Sequence, residues 1–227
     1  MNKATESGPG VPATDRSGED RRQRKARQTR EALADAAIDL ILEHGLAAVT
    51  VEAIAERADV TRRTFSRHFG GKEAAALDFT RADGDRINAA LRARPADEPP
   101  LAAYHAAVLD WLAASETPAL HRRAPRRELL ALVDTEPALF AAYERVRVDA
   151  QDESVRIIAD RLGTDPARDQ RPAVVVGAAA GVLTAALRSW ARGGHEYDAD
   201  LTAHVERAYA VLTREAALAA PHIATGK

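Results

Sequence analysis

The sequence predicts an all-α protein, and three observations lead to that class. Of its 227 residues, 51 are alanine, and leucine, arginine and glutamate are also abundant; all four lose little on entering a helix. Runs of β-branched residues are nearly absent outside positions 174–176, so there is little material for strands. Apolar residues recur at three- and four-residue spacing between glycine and proline breaks, the period of a helix with one buried face. The length suffices for a small domain beside a larger one, each with a core. With no cysteine in the chain, disulfides and thiolate metal sites are excluded.

Taken in order, residues 1–20 are rich in Gly, Pro, Ser and Thr with almost no apolar side chains, and are expected to be a disordered tail. Arg21, Arg22, Arg24, Lys25, Arg27 and Arg30 then crowd ten residues without an acid. They lead into a first helix over 24–43 with Leu33, Ala37, Leu40 and Ile41 as its core stripe. Gly45 ends it. Thr50 caps a second helix over 51–58 that turns Ile54, Ala55 and Ala58 inward. After a turn at Ala58, Asp59 and Val60, Thr61 caps a third helix over 62–68. Phe65 and Phe69, four apart, face the core, which leaves Arg62, Arg63, Ser66 and Arg67 outward.

Gly70 and Gly71 precede a fourth helix over 72–94, with Ile87 and Leu91 on its apolar side, and Pro95 ends it. The fifth, 101–115, aligns Leu101, Tyr104, Val108, Trp111 and Leu112 on one face. A connection containing Pro118, His121, Arg122 and Pro125 leads to a sixth over 126–133. Thr135 is expected to cap the seventh, with Pro137 in its first turn, which runs to Leu162. Helices over 172–192 and 199–219 complete a set of nine, parted by Gly193 and Gly194. The domains expected are 21–71 and 72–220, with a disordered tail at 221–227.

The exposed face of the third helix suits DNA. A guanidinium forks onto guanine O6 and N7, and Thr and Ser hydroxyls bond base edges or phosphates. Lys72 stands at a helix N-terminus, where free N–H groups also favour a phosphate. A net charge of −2 does not oppose this, because the local field of a basic arm and helix, rather than the total charge, attracts a polyanion. The arm lies along the DNA backbone or the minor groove beside the site, or is simply disordered; these readings all stand.

Thr50, Ile54, Ala55, Ala58, Val60, Thr61, Thr64, Phe65, His68, Phe69, Lys72 and Glu73 together resemble the N-terminal DNA-binding domain of TetR-type transcriptional regulators. The resemblance covers residues 29–77. It implies a three-helix helix-turn-helix unit followed by a larger helical domain for ligand binding and dimerisation. The implied DNA-binding residues are Arg27, Arg30, Thr50, Thr61, Arg62, Arg63, Thr64, Ser66, Arg67, His68 and Lys72. Two positions depart from the family pattern. Asp59 replaces the usual turn glycine, and Ser66 replaces a tyrosine that reaches a phosphate.

Within the larger domain, polar residues on apolar faces are candidates for a small-molecule site. His105 sits between Leu101 and Leu109, and Arg147 follows Phe140 and Tyr143. With Tyr104, Val108, Trp111 and Leu112 these line a cavity or are ordinary packing; the resemblance implies the cavity. The eighth helix is apolar nearly all round and must be buried on more than one side. The resemblance implies a homodimer through the last two helices, with Val174, Gly177, Ala178, Gly181, Ala185, Arg188, Val205 and Tyr209 at the interface. Asp83 and Asp85 lack further ligands at metal spacing and are read as solvated or interhelical charge. No cofactor is expected, and no catalytic motif occurs.

The expected partners are double-stranded operator DNA, a small hydrophobic or amphipathic effector and a second copy of the chain. With no secretory segment, and an apolar stretch at 172–187 too short to span a bilayer, the expectation is a cytoplasmic protein without a membrane partner. Two rival readings are a constitutive DNA-binding protein and an all-α enzyme.

Overall fold

The computed structural model describes residues 14–115, 123–193 and 201–224. Most of the expected N-terminal tail, the linker positions Pro118, His121 and Arg122, and the last three residues lie outside this range. Ten α-helices and one short 3-10 turn account for the described residues, without a strand. They are α1 (Thr14–His44), the 3-10 turn Leu46–Ala48, α2 (Val51–Arg57), α3 (Arg62–His68), α4 (Lys72–Ala76), α5 (Asp78–Ala93), α6 (Pro100–Ser115), α7 (Arg123–Val133), α8 (Pro137–Leu162), α9 (Arg171–Arg192) and α10 (Leu201–Ala224).

Four boundaries differ from the sequence reading. Residues 14–20, expected in the disordered tail, are the first turns of α1. The expected fourth helix breaks at Leu77, which is fully buried with φ −95° and ψ 10°. The break lets Leu77 enter the core while Asp78 bonds Arg30 of α1. Thr135 is not the cap of α8; its hydroxyl donates to the Leu132 carbonyl at 3.1 Å and closes α7, leaving Glu136 at the cap position. Finally, α10 runs to Ala224, into the stretch expected to be a tail.

Two hydrophobic clusters form. The first holds Leu33, Ala37, Ile41, Ile54, Phe65, Phe69 and Leu77, and takes in Leu129 and Val133 of α7 and Leu139 and Tyr143 of α8. The second joins α5, α6, α8, α9 and α10 through Leu91, Tyr104, Val108, Ile158, Val176, Leu183 and Val205. Between α5 and α8 the backbones run close: a Cβ on Gly84 would stand 2.9 Å from that of Ala150. One turn on, the buried Asn88 amide donates to the Ala150 carbonyl at 3.1 Å and the Ser154 hydroxyl donates to Asn88 Oδ1 at 2.7 Å. Polar atoms buried at this contact are satisfied rather than orphaned.

Candidate functional site

The α2–α3 pair is fixed by two N-caps, as its sequence requires. Thr50 Oγ1 accepts from the Ala53 N–H at 3.1 Å, and Thr61 Oγ1 from the Thr64 N–H at 3.2 Å. Asp59 adopts φ 53° in the turn, alone among the described non-glycine residues in having positive φ; aspartate tolerates that region better than most. Ile54 and Phe65 are buried, so the opposite face of α3 is exposed. On that face Arg63, Ser66 and Arg67 have no hydrogen-bond or ion-pair partner among the described residues. Arg27 is also exposed, held only loosely by Glu31 at 3.9 Å.

Other candidates for DNA contact are engaged within the protein. Arg30 donates through Nε and one terminal nitrogen to both oxygens of Asp78, at 2.9 and 2.6 Å. Its other terminal nitrogen reaches the His68 carbonyl at 3.0 Å, and the guanidinium carbon lies 4.5 Å from the centre of the Phe69 ring. Arg30 is thus a staple joining α1, the end of α3 and the start of α5. Lys72 donates to the carbonyls of Leu46 at 2.6 Å and Val49 at 2.8 Å, so two of its three donors hold the 3-10 turn. Arg62 bonds Glu52 of α2 at 3.0 Å. His68 turns its ring inward: Nε2 is buried without a partner, and burial, followed by Arg67 and Arg30, lowers its pKa from the ordinary histidine value. Thr64 lies half-buried with its hydroxyl 3.1 Å from that of Thr61.

In the larger unit, α5, α6, α7, α8, α9 and the start of α10 surround a cavity of about 180 Å³. Its wall carries both tryptophans of the chain, Trp111 and Trp190, with Tyr104, Tyr143 and Phe79. Of the residues expected there, Tyr104, Trp111, Leu112, Tyr143 and Arg147 line it. The other three do not. His105 faces α10 and stacks on Tyr209, with centroids 4.1 Å apart, and burial lowers its pKa. Val108 is fully buried in the core, and Phe140 is 43% exposed on the outside. Helical periodicity identifies the buried face but not which part of it borders a void.

The polar groups of the wall were mostly missed. Asp83, read from sequence as solvated or interhelical charge, lines the cavity, and its Oδ1 accepts from Trp111 Nε1 at 3.0 Å and from Arg86 at 2.9 Å. Burial raises its pKa from the ordinary carboxylate value, opposed by the Trp111 bond and by Arg86 and Arg126. Arg126 also lines the cavity, with its guanidinium carbon 5.2 Å from the centre of the Phe79 ring, as do Asn88, Ser154 and Thr184. Arg147 is held by Glu144, with its closest contact at 2.5 Å. Helical spacing places Asp83 one turn before the apolar Ile87; nothing in the sequence signals its bond to a tryptophan on another helix.

The expected dimer face divides in two. Val174, Gly177, Ala178, Gly181 and Ala185 form an exposed apolar stripe along α9, so this helix is buried on one side within the chain rather than on several. Exposed Val211 and Leu218 continue the apolar surface on α10. Val205 and Tyr209 are instead inside, the tyrosine hydroxyl donating to the Ala179 carbonyl at 3.1 Å. Arg188 is held by Asp134 at 2.5 Å. Among the described residues α9 is the one helix long and apolar enough to cross a membrane by length and composition, a test that a core helix also passes.

A family model described as bacterial regulatory proteins, tetR family, matches residues 33–76, and one described as the MftR C-terminal domain matches residues 98–217. The HTH-type transcriptional regulator TcmR of Streptomyces glaucescens is 36% identical over 195 residues, covering 83% of this chain and 80% of its own. Two solved structures share the fold at low identity. FadR of Thermus thermophilus, in complex with lauroyl-CoA, aligns with a TM-score of 0.50 at 21% identity over 81% of this chain and 93% of that one. SmeT of Stenotrophomonas maltophilia, in complex with triclosan, aligns at 0.51 and 20% over 81% and 90%.

Proposed function

Since the chain belongs to the TetR family of transcriptional regulators, we propose that it is a cytoplasmic repressor, released from DNA by a small hydrophobic or amphipathic effector. In this reading two copies bind a palindromic operator, each placing α3 in a major groove. Arg63 and Arg67 read base edges, with Ser66 on a base or phosphate. The exposed stripe of α9 and the apolar surface of α10 form the dimer contact, and the effector occupies the aromatic-walled cavity.

One observation supports the link between the two sites. Phe79, Leu130 and Tyr143 line the cavity and also pack in or against the cluster that holds the helix-turn-helix. A ligand that favours one placement of these side chains therefore favours one placement of α3, which is all that coupling requires. An open cavity also favours effector control over the constitutive alternative. Because Tyr143 belongs to both, Tyr143→Ala is expected to change operator binding as well as effector response.

The test is selection of the preferred sequence from random duplex DNA, followed by titration of that site. Arg63→Ala and Arg67→Ala are each expected to weaken it by ~1–3 kcal/mol while leaving the fold intact. Gly177→Leu or Gly181→Leu should abolish the two-to-one complex, because a Cβ at either position meets nothing within 4 Å among the described residues, so the added bulk bears on a partner. Wild-type affinity in both arginine variants, or a monomer on the operator, would refute the reading. A compound screen on the complex then asks whether any small molecule releases it.

A further inference from the structure

We infer that Asp83 and Arg126 form a two-point recognition site, selecting for this cavity a flat aromatic effector with a hydroxyl or N–H donor beside a carbonyl or carboxylate. The inference rests on the effector reading above and names the chemical class that the site takes.

Asp83 presents half a carboxylate. Oδ1 is occupied by Trp111 and Arg86, whereas Oδ2 has no partner among the described residues. The side chain is only 20% exposed. A half-buried carboxylate in a cleft, with one oxygen unused by the protein, is placed to accept from a ligand, and groups with shifted titration in clefts gather where ligands bind. Arg126 has the complementary defect. It is half-buried over Phe79 and makes no hydrogen bond or ion pair among the described residues. Arg126 is near enough to lower the Asp83 pKa, yet the two lie beyond the 4.0 Å of an ion pair. An acid and a base held apart across a cavity are bridged by a ligand that offers a donor to one and an acceptor to the other. Arg147, whose charge Glu144 answers, is not the anion-binding group.

The class follows from the surroundings. Arg86 and Arg126 both act on Asp83, so a cationic ligand group would meet like charge where a neutral donor would not. Trp111, Trp190, Tyr104, Tyr143 and Phe79 wall the space, and aromatic faces pack best on a flat ring system.

The experiment is calorimetric titration of the full-length protein with 3-hydroxy-2-naphthoate, 2-naphthoate, 2-naphthol and 3-methoxy-2-naphthoate. The hydroxy acid is expected to bind about ten- to a hundredfold more tightly than the other three, the strength of one added hydrogen bond to a charged group. Asp83→Asn keeps the acceptor for Trp111 but can set an N–H where Oδ2 stood, so preference should pass to the methoxy acid, an inversion that damaged folding would not produce. Arg126→Gln should remove the advantage of the hydroxy acid over 2-naphthol, which lacks the carboxylate. Binding of all four compounds within about twofold, with no reordering in either variant, overturns the inference and leaves the effector reading standing. No binding by any of the four also overturns it. The effector reading is judged separately, by whether any compound in the screen releases the operator complex.

Discussion

The two hydrophobic clusters are bounded differently. The cluster around the helix-turn-helix takes Leu129, Val133, Leu139 and Tyr143 from α7 and α8, whereas the cluster beside the cavity takes nothing before Ile87. The DNA-reading unit therefore completes its core by borrowing from the larger unit, and the larger unit closes its own. The borrowed residues come from the same two helices that supply Leu130, Tyr143, Arg126 and Arg147 to the cavity wall. In a close-packed interior, strain at one end of such a shared element is felt at the other. The cavity and the helix-turn-helix thus lie on either side of one shared wall.

Arginine use differs between the two regions in the same way. Near the N-terminus, Arg30, Arg62 and Lys72 are tied to other groups within the protein, whereas Arg63 and Arg67 on α3 have no partner among the described residues. At the cavity, Arg147 is tied to Glu144, while Arg126, over the Phe79 ring, makes no hydrogen bond or ion pair among the described residues. On α3 and in the cavity wall alike, arginines without a hydrogen bond or ion pair among the described residues, Arg63 and Arg67 in one case and Arg126 in the other, stand where a ligand would lie.

The largest effect that tests this comparison is expected from Leu129→Ala, which removes a fully buried side chain shared between the units. It should cost ~2–5 kcal/mol, and signals from both units should be lost in one denaturant transition. Two separate transitions in the wild type would show that the units are independent, and the comparison would break.

Next is Arg30→Ala, which leaves the Asp78 carboxylate, only 11% exposed, without its main partner. Loss of the staple should cost about 2–3 kcal/mol. A double-mutant cycle with Asp78→Asn should give a coupling well above that of an exposed pair such as Arg62 with Glu52. Equal couplings would mean that Arg30 is only another surface cation.

Gly84→Ala should cost ~1–3 kcal/mol by overpacking, because the new methyl meets Ala150 at 2.9 Å and forces α5 from α8 beside the cavity. A change in operator affinity as well as stability would sharpen the case for one shared wall; unchanged operator affinity in a destabilised protein would confine the effect to packing.

The smallest expected effect has the opposite sign. Burial raises the Asp83 carboxyl above its ordinary value, so the folded state holds that proton more tightly than the unfolded one. The cost of ionisation is then present above the folded pKa and relieved as pH falls towards the ordinary carboxylate value. Asp83→Asn should stabilise the effector-free protein at neutral pH by up to about 1 kcal/mol, a gain that is smaller at mildly acidic pH, nearer the ordinary carboxylate value. Thermal unfolding at the two pH values decides it, and a destabilised variant at neutral pH would show that the ion pair with Arg86 outweighs the burial.

Most of the fold was legible because its information is local. Alanine content, apolar periodicity, the Thr50 and Thr61 caps and the Phe65–Phe69 seam act over a few residues, and they placed α2, α3 and α6–α9 within a few positions. The exposed arginine face of α3 followed from the same periodicity. What the sequence could not decide depends on pairs far apart in the chain. Arg30 and Asp78 stand 48 residues apart and Asp83 and Trp111 stand 28 apart. In each pair the partner alone determines whether the charge is a staple, a ligand-binding group or a solvated surface. His105 and Phe140 had the right chemistry at the right spacing, but only the packing of α10 and the angle of α8 put one against Tyr209 and the other on the surface. The sequence by itself determined the helices, the buried faces and the DNA-reading unit, since each rests on short-range propensity. The cavity, its polar pair and the wall shared with the helix-turn-helix were decided by tertiary structure, since a void is a property of how helices meet rather than of any one of them.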